Sequence, residues 1–269
     1  MLAIENSRDG RIVTVTLNRP DRRNALNQSV VLELTRVVDS LSQDDFVRVI
    51  ILTGAGDVFS AGADLEALSA LKNASFEKNL EDSNALAVLF KSMRESPKVI
   101  VGMVNGHAIA GGSGLVAACD VSFASNKAKL GFTEVRIGFV PALVSVLLRT
   151  RISETGLRDI LLSGRLFSAD EARTLGLVTY VFPELQLKNE VWGYAETLCR
   201  NTSASSIAST KELLIRTSEQ SFGAALDEAA TLNARARESA DCKAGIEAFL
   251  AKEDAPWVVH YDNDHTDPA

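Results

Sequence analysis

Runs of β-branched and aliphatic residues recur along the first two thirds of the chain and predict strands. Residues 11–17 alternate β-branched side chains with others, which is typical of a strand that buries one face. Residues 47–54 form a continuous β-branched run that ends at a glycine, which predicts a buried strand. Three further strands are predicted at residues 98–104, 119–125 and 177–182.

Helical periodicity and capping residues predict the elements between and after these strands. Apolar residues three and four positions apart make residues 28–41 an amphipathic helix. Residues 168–176 begin with a capping box, in which Ser168 is the N-cap and Glu171 stands three positions later, and they end at a glycine. From about residue 184 onward, the pattern predicts helices only.

The order of these elements predicts the fold class. Strands interleaved with helices and followed by a helical tail indicate an α/β core with a C-terminal helical module. We place the core at residues 1–200 and the module at residues 201–269, and we expect the polar C-terminal residues 260–269 to fray. Residues 18–27 predict a loop, and the mostly polar, helical residues 64–96 are a candidate for a mobile cover.

Composition excludes several classes of function. The 269 residues carry a net charge of -7 and no basic stripe, which argues against a nucleic-acid partner. No run of 18 apolar residues occurs, so we expect no membrane partner and a cytoplasmic protein. Three cysteines far apart in sequence predict no disulfide framework, and with only three histidines in the chain we expect no metal site.

Two glycine-containing turns are the first candidates for chemistry. Residues 56–65 and 105–115 each follow a predicted buried strand and open a helix. The backbone N–H groups at a helix start have no partner within the helix and attract negative charge. Two such groups aimed at one point form an oxyanion hole, whereas the plainer interpretation is a strand–helix turn. Neither turn fits a phosphate-binding loop motif well.

Six motifs in order give these turns a family context. The chain resembles the enoyl-CoA hydratase/isomerase (crotonase) family from about residue 10 to about residue 255. The resemblance implies an α/β, crotonase-type spiral of ββα turns with a C-terminal helical trimerisation module. The motifs are NRPDRRNALN, FSAGADL, NGHAIAGGSGL, CDVSFAS, LGFTEVRIGFVPA and GRLFSADEARTLGLV.

The resemblance also implies an acyl-CoA thioester as the substrate, with no cofactor beyond its CoA moiety. By matching position, the N–H groups of Ala63 and Gly111 stabilise a thioester enolate, and Glu134 is the catalytic carboxylate. Lys252 matches a lysine that reaches CoA from a neighbouring subunit, which implies a homotrimer or a dimer of trimers. Other residues expected to contact substrate are Arg22, Asn24, Ala25, Ala61, Asp64, Leu65, Gly112, Ser113 and Gly114.

Some of these residues also have a plainer interpretation. Asp64 is expected to cap the turn rather than to react, and Gly112, like Gly111, is expected to let the thioester oxygen approach the backbone. Arg22 lies in the predicted loop beside Arg19 and Arg23, where positive charge suits CoA phosphates. Ser113 is either a hydrogen-bonding partner of water or substrate, or a satisfied turn hydroxyl.

Position 114 departs from the hydratase pattern. Familiar hydratases of the family carry a second glutamate there, and this chain has Gly114, so Glu134 is left as the only family-matched acid or base. Glu77, Glu81 or Asp82 in the candidate cover is an alternative source of the missing acid. We slightly favour hydration of an enoyl-CoA as the reaction. Isomerisation that uses the single glutamate is the alternative. A non-catalytic acyl-CoA-binding assembly protein is the alternative of a different class.

Overall fold

The strands and helices below come from a computed structural model that describes residues 1–258, except for the side chains of Leu65 and Leu71. The strands are β1 (Leu2–Asn6), β2 (Ile12–Leu17), β3 (Val49–Gly54), β4 (Val58–Ser60), β5 (Val99–Val104), β6 (His107–Ile109), β7 (Val121–Ser125), β8 (Lys129–Gly131), β9 (Leu166–Ser168) and β10 (Tyr180–Phe182). The α-helices are α1 (Gln28–Gln43), α2 (Leu65–Leu71), α3 (Phe76–Glu95), α4 (Gly111–Ala118), α5 (Ala142–Leu148), α6 (Glu154–Ser163), α7 (Ala169–Leu175), α8 (Glu184–Asn201), α9 (Ala204–Thr217), α10 (Phe222–Glu238) and α11 (Ala240–Ala251). Two 3₁₀ turns span Pro20–Arg22 and Glu134–Ile137.

The strands form two sheets. The larger sheet has the order β1-β2-β3-β5-β7-β10, and the smaller has the order β4-β6-β8-β9. β1 runs antiparallel to β2, and β9 runs antiparallel to β8. All other paired neighbours among the described strands are parallel.

A repeated strand–strand–helix unit connects the two sheets. β3 leads into β4 and α2, and β5 leads into β6 and α4, so each unit contributes one strand to each sheet. The corners between the strands are tight, because a Cβ atom at Gly106 would collide with the carbonyl of Asp57. Asn105 fixes this corner: its Nδ2 donates to the Gly56 oxygen at 2.7 Å, and its Oδ1 accepts from the Gly54 amide at 3.1 Å. This repeat is the spiral of ββα turns that the resemblance implies.

The larger sheet is buried on both faces. Successive side chains of a strand point to opposite faces, so each strand supplies two apolar sets. One set packs against Leu187, Val191, Ala195 and Cys199 of α8 and comprises Ile12, Val49, Ile51, Val99, Val101 and Phe123. The other set lies in one cluster with residues of α1 and α3 and includes Val13, Val15, Ile50, Leu52 and Ile100.

Most of the predicted elements are confirmed. The strands predicted at residues 11–17, 47–54, 98–104 and 119–125 are β2, β3, β5 and β7, and the helix predicted at residues 28–41 is α1. The expectation of a single buried face for β2 is wrong, because α8 covers its second face.

The cap of α7 is confirmed in its details. The Ser168 hydroxyl accepts from the Glu171 amide at 3.2 Å, and Gly176 ends the helix with a φ of 89°. The strand predicted at residues 177–182 is shorter than expected, since β10 spans only Tyr180–Phe182. No helix among residues 1–258 has the length and the apolar character needed to cross a bilayer.

The C-terminal helices differ from the core. α9, α10 and α11 contain no buried residue in the single chain, and large apolar side chains on them are exposed, among them Leu214, Phe222, Phe249 and Leu250. The predicted boundary near residue 200 falls at the end of α8, and it stays a prediction. The described residues end at Val258, so the C-terminal residues 260–269 that are expected to fray lie outside them.

Candidate active site

Three turns meet at one edge of the smaller sheet. β4, β6 and β8 are parallel neighbours, so their carboxyl ends lie at the same edge. The turn containing Ala63 follows β4, the turn containing Gly111 follows β6, and Glu134 follows β8. In open α/β sheets, ligands bind outside the carboxyl ends of parallel strands. The structure therefore places the turns with the two expected amides and the expected carboxylate at one edge of the sheet, where ligands commonly bind in such folds.

The amide of Ala63 points away from its neighbouring segment. Leu26 and Ala63 form a parallel bridge, in which the Leu26 amide donates to the Gly62 oxygen at 2.7 Å. The Asp64 amide donates to the Leu26 oxygen at 2.9 Å. In this pattern the flanking residues make both hydrogen bonds, so the N–H of Ala63 itself faces the opposite side. Ala63 is exposed, which leaves that amide accessible.

A strained turn sets the direction of the Gly111 amide. Ala110, the N-cap of α4, has a φ of 48° and a ψ of -118°, which a side chain disfavours by about 1–3 kcal/mol. Its amide donates to the Gly131 oxygen at 2.7 Å, which fixes the turn to β8. Gly111 is the first residue of α4, so its N–H has no acceptor within the helix. This strained turn therefore directs the Gly111 amide to the edge of the sheet.

Close backbone contacts hold the two turns together. Gly62 has a φ of 85°, and a Cβ atom there would lie 2.6 Å from the Ile109 oxygen. A Cβ atom at Gly112 would lie 2.6 Å from the Ser60 oxygen and 2.8 Å from the Ser60 Cβ. Ser60 therefore occupies the Cβ side of Gly112, and the expected contact of Gly112 with the thioester oxygen stays a prediction.

Gly111 is the glycine of this turn that faces open space. A Cβ atom there would meet only Leu26 Cδ1, at an ordinary contact distance of 3.4 Å, and the residue is half-buried. The glycines of residues 111–114 thus have separate roles. Gly112 allows packing inside the protein, whereas Gly111 leaves its amide approachable.

Glu134 lies in an environment that disfavours its charge. It begins the 3₁₀ turn that follows β8 and is half-buried. Burial raises the pKa of Glu134 above its ordinary value, and a hydrogen bond with its own backbone amide offsets part of that rise. Its Oε2 atom is buried and has no hydrogen-bond partner among the described residues. A buried carboxylate oxygen without a partner is costly in a merely structural role and fits a group that exchanges protons.

The position of the second family glutamate is closed. A Cβ atom at Gly114 would lie 2.7 Å from Phe90 Cζ and 2.8 Å from Val144 Cγ1. Phe90 comes from α3 and Val144 from α5, and both side chains are buried. The α-carbon of Gly114 faces these two side chains, and its expected contact with substrate stays a prediction.

Three other expected substrate contacts are occupied by the protein itself. Ser113 is fully buried; its hydroxyl donates to the Ala108 oxygen at 2.6 Å and accepts from the Gly131 amide at 3.2 Å. It is the satisfied turn hydroxyl of the plainer interpretation. Asn24 is also buried: its side chain donates to the oxygens of Ala55 and Val58 and accepts from the Arg19 amide, and Ala25 beside it is buried as well. These residues shape the loop and offer little surface to a ligand.

Asp64 is engaged in structure, as the capping interpretation predicts. Its Oδ1 accepts from the Glu66 amide at 3.0 Å, and its Oδ2 accepts from Arg19 Nη2 at 2.9 Å. Burial opposes ionisation of Asp64, but the Arg19 hydrogen bond, the Glu66 amide and the Arg19 charge outweigh it and hold its pKa below the ordinary value. Arg19 also donates to the Ala25 oxygen at 2.7 Å, so it braces the loop.

The remaining expected contacts lie at the surface. Arg22 and Arg23 are exposed, and Arg22 pairs with Glu66 at 2.8 Å. Ala61 is half-buried, and its amide donates to the Arg23 oxygen at 2.9 Å. Lys252 ends α11 with a φ of 59° and is exposed. The side chain of Leu65 lies outside the described residues.

The acids of the candidate cover behave differently from one another. Glu77 and Glu81 are exposed, and Glu81 pairs with Lys78 at 2.8 Å. Asp82 is half-buried, and burial raises its pKa, although Lys78 opposes that rise. Of the three, only Asp82 has a perturbed environment of the kind that a proton donor needs.

Sequence reasoning missed Ser60, Phe90, Ala110 and Val144. Ser60 and Phe90 are far along the chain from the glycines they contact, and a buried Phe on an amphipathic helix gives no signal of its contact. Ala110 takes a conformation that favours glycine, which the sequence hides. The cluster of glycines was the available signal, since each close contact above requires a residue without a side chain.

Comparison with known proteins gives this geometry a context. The family model for enoyl-CoA hydratase/isomerase matches residues 7–259. A Thermus thermophilus relative whose name contains the words enoyl-CoA hydratase is 42% identical over 243 residues, covering 90% of this chain and 96% of that protein. The peroxisomal Delta(3,5)-Delta(2,4)-dienoyl-CoA isomerase of Arabidopsis thaliana is 32% identical over 260 residues, covering 93% of each protein. The crystal structure of an enoyl-CoA hydratase from Mycobacterium smegmatis has a TM-score of 0.89 at 27% identity, covering 95% of this chain and 98% of that one.

Proposed function

Since the chain belongs to the enoyl-CoA hydratase/isomerase family, we propose that it transfers a proton at the carbon next to the thioester of an enoyl-CoA. The reaction is a hydration or an isomerisation, and both pass through an enolate. The observation that carries this proposal is the half-buried Glu134, whose Oε2 has no partner among the described residues, at the sheet edge that also carries the turns of Ala63 and Gly111.

The amides of Ala63 and Gly111 stabilise the enolate oxygen. Both are main-chain donors held by packing, so they need no reorganisation when negative charge develops on the thioester oxygen. Loss of one oxyanion-hole donor typically costs about 10²–10³ in rate. The close contact of Gly62 with Ile109 supports this role, because it keeps the two turns in register.

Glu134 moves the proton. In isomerisation, its carboxylate removes a proton from C2 of a 3-enoyl-CoA and returns it to C4, so the double bond shifts without a change of mass. In hydration, a water oxygen adds to C3 of a 2-enoyl-CoA and a proton reaches C2. A raised pKa suits both, since a carboxyl group that accepts and returns protons near neutral pH is more effective.

The names of relatives support hydration, and the single carboxylate supports isomerisation. The name of the Thermus thermophilus relative contains enoyl-CoA hydratase, whereas the Arabidopsis relative is named a dienoyl-CoA isomerase. A non-catalytic binding protein is disfavoured, because such a protein gains nothing from an unpartnered buried carboxylate oxygen.

A homotrimer or a dimer of trimers is part of the proposal. The exposed apolar side chains of α9–α11 exceed what a solvated module needs, and burial between copies would cover them. In that assembly, Lys252 contacts CoA bound to a neighbouring subunit, and Arg22 and Arg23 lie near its phosphates. A monomer in light scattering at micromolar concentration would contradict the assembly.

Product analysis tests the proposed activity. The protein is incubated with 2-enoyl-CoA and 3-enoyl-CoA substrates, and the products are analysed by mass and by the position of the double bond. A gain of water indicates hydration, and a shifted bond at constant mass indicates isomerisation. The absence of both products, with CoA thioester binding retained, would favour the non-catalytic alternative.

A further inference from the structure

The space in front of Gly114 carries an inference about which product forms. We propose that Phe90, supported by Val144, is a specificity-determining residue that closes this space to water and so favours isomerisation of an enoyl-CoA over its hydration. The inference rests on the proposed function, because it concerns whether water can reach C3 of an enoyl-CoA that is bound at this site.

Phe90 and Val144 fill the space that a side chain at position 114 would enter. Gly114 lies one turn beyond Gly111 in α4, so it faces nearly the same side of the helix as the expected oxyanion donor. The aromatic ring and the Val144 methyl group come within 2.7 and 2.8 Å of the missing Cβ atom. Phe90 is 4% exposed and Val144 is 3% exposed, so no open solvent lies between them.

The groups around Gly114 give a water molecule too few partners. An ordered buried water typically needs two to four polar partners. The hydroxyl of Ser113 is already engaged with Ala108 and Gly131, and the Phe90 ring and Val144 methyl offer none. Glu134 follows β8 at the same edge of the smaller sheet, its Oε2 has no partner among the described residues, and one carboxylate is enough to carry a proton between two carbons of the substrate.

The Phe90 side chain is held by packing in the core. Phe90 lies in the C-terminal half of α3, where Leu89 and Met93 on the same helix are fully buried in the core. This part of the candidate cover is thus packed in the core, and the mobility of the cover stays a prediction. Closure of the space is a property of the packed core.

Two substitutions should admit water to the space in front of Gly114, each in a different way. Phe90→Ser removes the ring and adds a hydroxyl as a partner for water, so the ratio of hydrated to isomerised product should rise about tenfold or more, since changes in pocket contacts discriminate by that much. Val144→Thr keeps the side-chain shape and adds a hydroxyl as a water partner, so it should raise the ratio by a smaller factor. The second variant stays informative if the first fails to fold.

Matched controls separate this effect from general damage. Ile160→Ala makes a cavity in α6, and Val38→Thr buries a hydroxyl in α1; both should leave the product ratio unchanged. Products are measured from 2-enoyl-CoA and 3-enoyl-CoA in ¹⁸O-labelled water, so that each added oxygen is counted. Thermal unfolding of every variant confirms that a folded protein is compared.

The outcomes distinguish this inference from the proposed function. A wild-type protein that isomerises, with Phe90→Ser and Val144→Thr increasing the incorporation of labelled oxygen, supports the inference. If the wild-type protein hydrates at least as fast as it isomerises, or if neither variant changes the ratio, Phe90 does not determine the product, although the proposed function stands. A wild-type protein that forms neither product overturns both.

Discussion

Two carboxylates stand at the same edge of the smaller sheet, in the turns after β4 and β8, and their surroundings differ. Asp64 accepts hydrogen bonds from Arg19 and from the Glu66 amide, and its pKa is held below the ordinary value despite its burial. Glu134 has a buried oxygen without a partner among the described residues, and burial raises its pKa. When two carboxyl groups of one site have pKa values shifted in opposite directions, the group with the lowered pKa stays charged and the group with the raised pKa can carry a proton.

The largest effect is expected from Glu134→Gln. Glutamine keeps the shape of the side chain but cannot exchange a proton, so turnover of enoyl-CoA should fall by about 10²–10⁴. Affinity for CoA thioesters should change little, and the melting temperature should hold or rise, because an unpartnered buried charge is removed. Steady-state kinetics, isothermal titration and thermal unfolding check the three parts. Full turnover in the variant would remove Glu134 from the mechanism and favour an acid such as Asp82.

Asp64→Asn should act on stability. It breaks a largely buried ion pair with Arg19, so the free energy of unfolding should fall by about 3 kcal/mol. The matched control is Glu66→Gln, which breaks the exposed pair with Arg22 in the same loop and should cost at most about 0.5 kcal/mol. Denaturant unfolding measures both. Equal losses in the two variants would mean that Asp64 is no more structural than a surface acid.

A smaller effect is expected from Ala110→Gly. The φ of 48° at Ala110 suits glycine, so the substitution should relieve strain and raise the free energy of unfolding by about 1 kcal/mol. Ala117→Gly, inside α4, should instead destabilise by a similar amount. A loss of stability in both variants would argue against strain at Ala110.

The smallest expected effect is a change in the free energy of unfolding at low pH. Because the pKa of Asp64 is lower in the folded state, its contribution to stability is complete above the unfolded value of about 3.9 and is lost as pH falls through the folded pKa. The difference in unfolding free energy between the wild type and Asp64→Asn should therefore narrow below about pH 4. A difference in unfolding free energy that stays constant down to pH 2 would contradict the lowered pKa of Asp64 in the folded state.

The central strands of the larger sheet were predictable from the sequence, whereas its edge strand β1, which has no buried residue, and the smaller sheet were not. β2, β3, β5 and β7 are five or six residues long and carry continuous or alternating apolar patterns. β4, β6, β8 and β9 have three residues each, which is too short for a periodic signal, and they form through pairing with distant segments.

The candidate site was predictable in part for a related reason. Resemblance identified Ala63, Gly111 and Glu134, and the structure brings all three turns to one edge. The roles of Gly112 and Gly114 depend on Ser60 and Phe90, which approach them only in the folded chain. A glycine indicates that something comes close, but the partner is decided by packing.

The contrast between the two carboxylates is tested most directly by titrating both in one experiment. With ¹³C-labelled Asp and Glu side chains, the carboxyl shifts are followed by NMR across pH, and the Asp64→Asn and Glu134→Gln variants assign the two signals. The account predicts a midpoint for Glu134 above the usual Glu value of about 4.3 and a midpoint for Asp64 below the usual Asp value of about 3.9. Ordinary midpoints for both residues, or a reversed order, would contradict the division of roles.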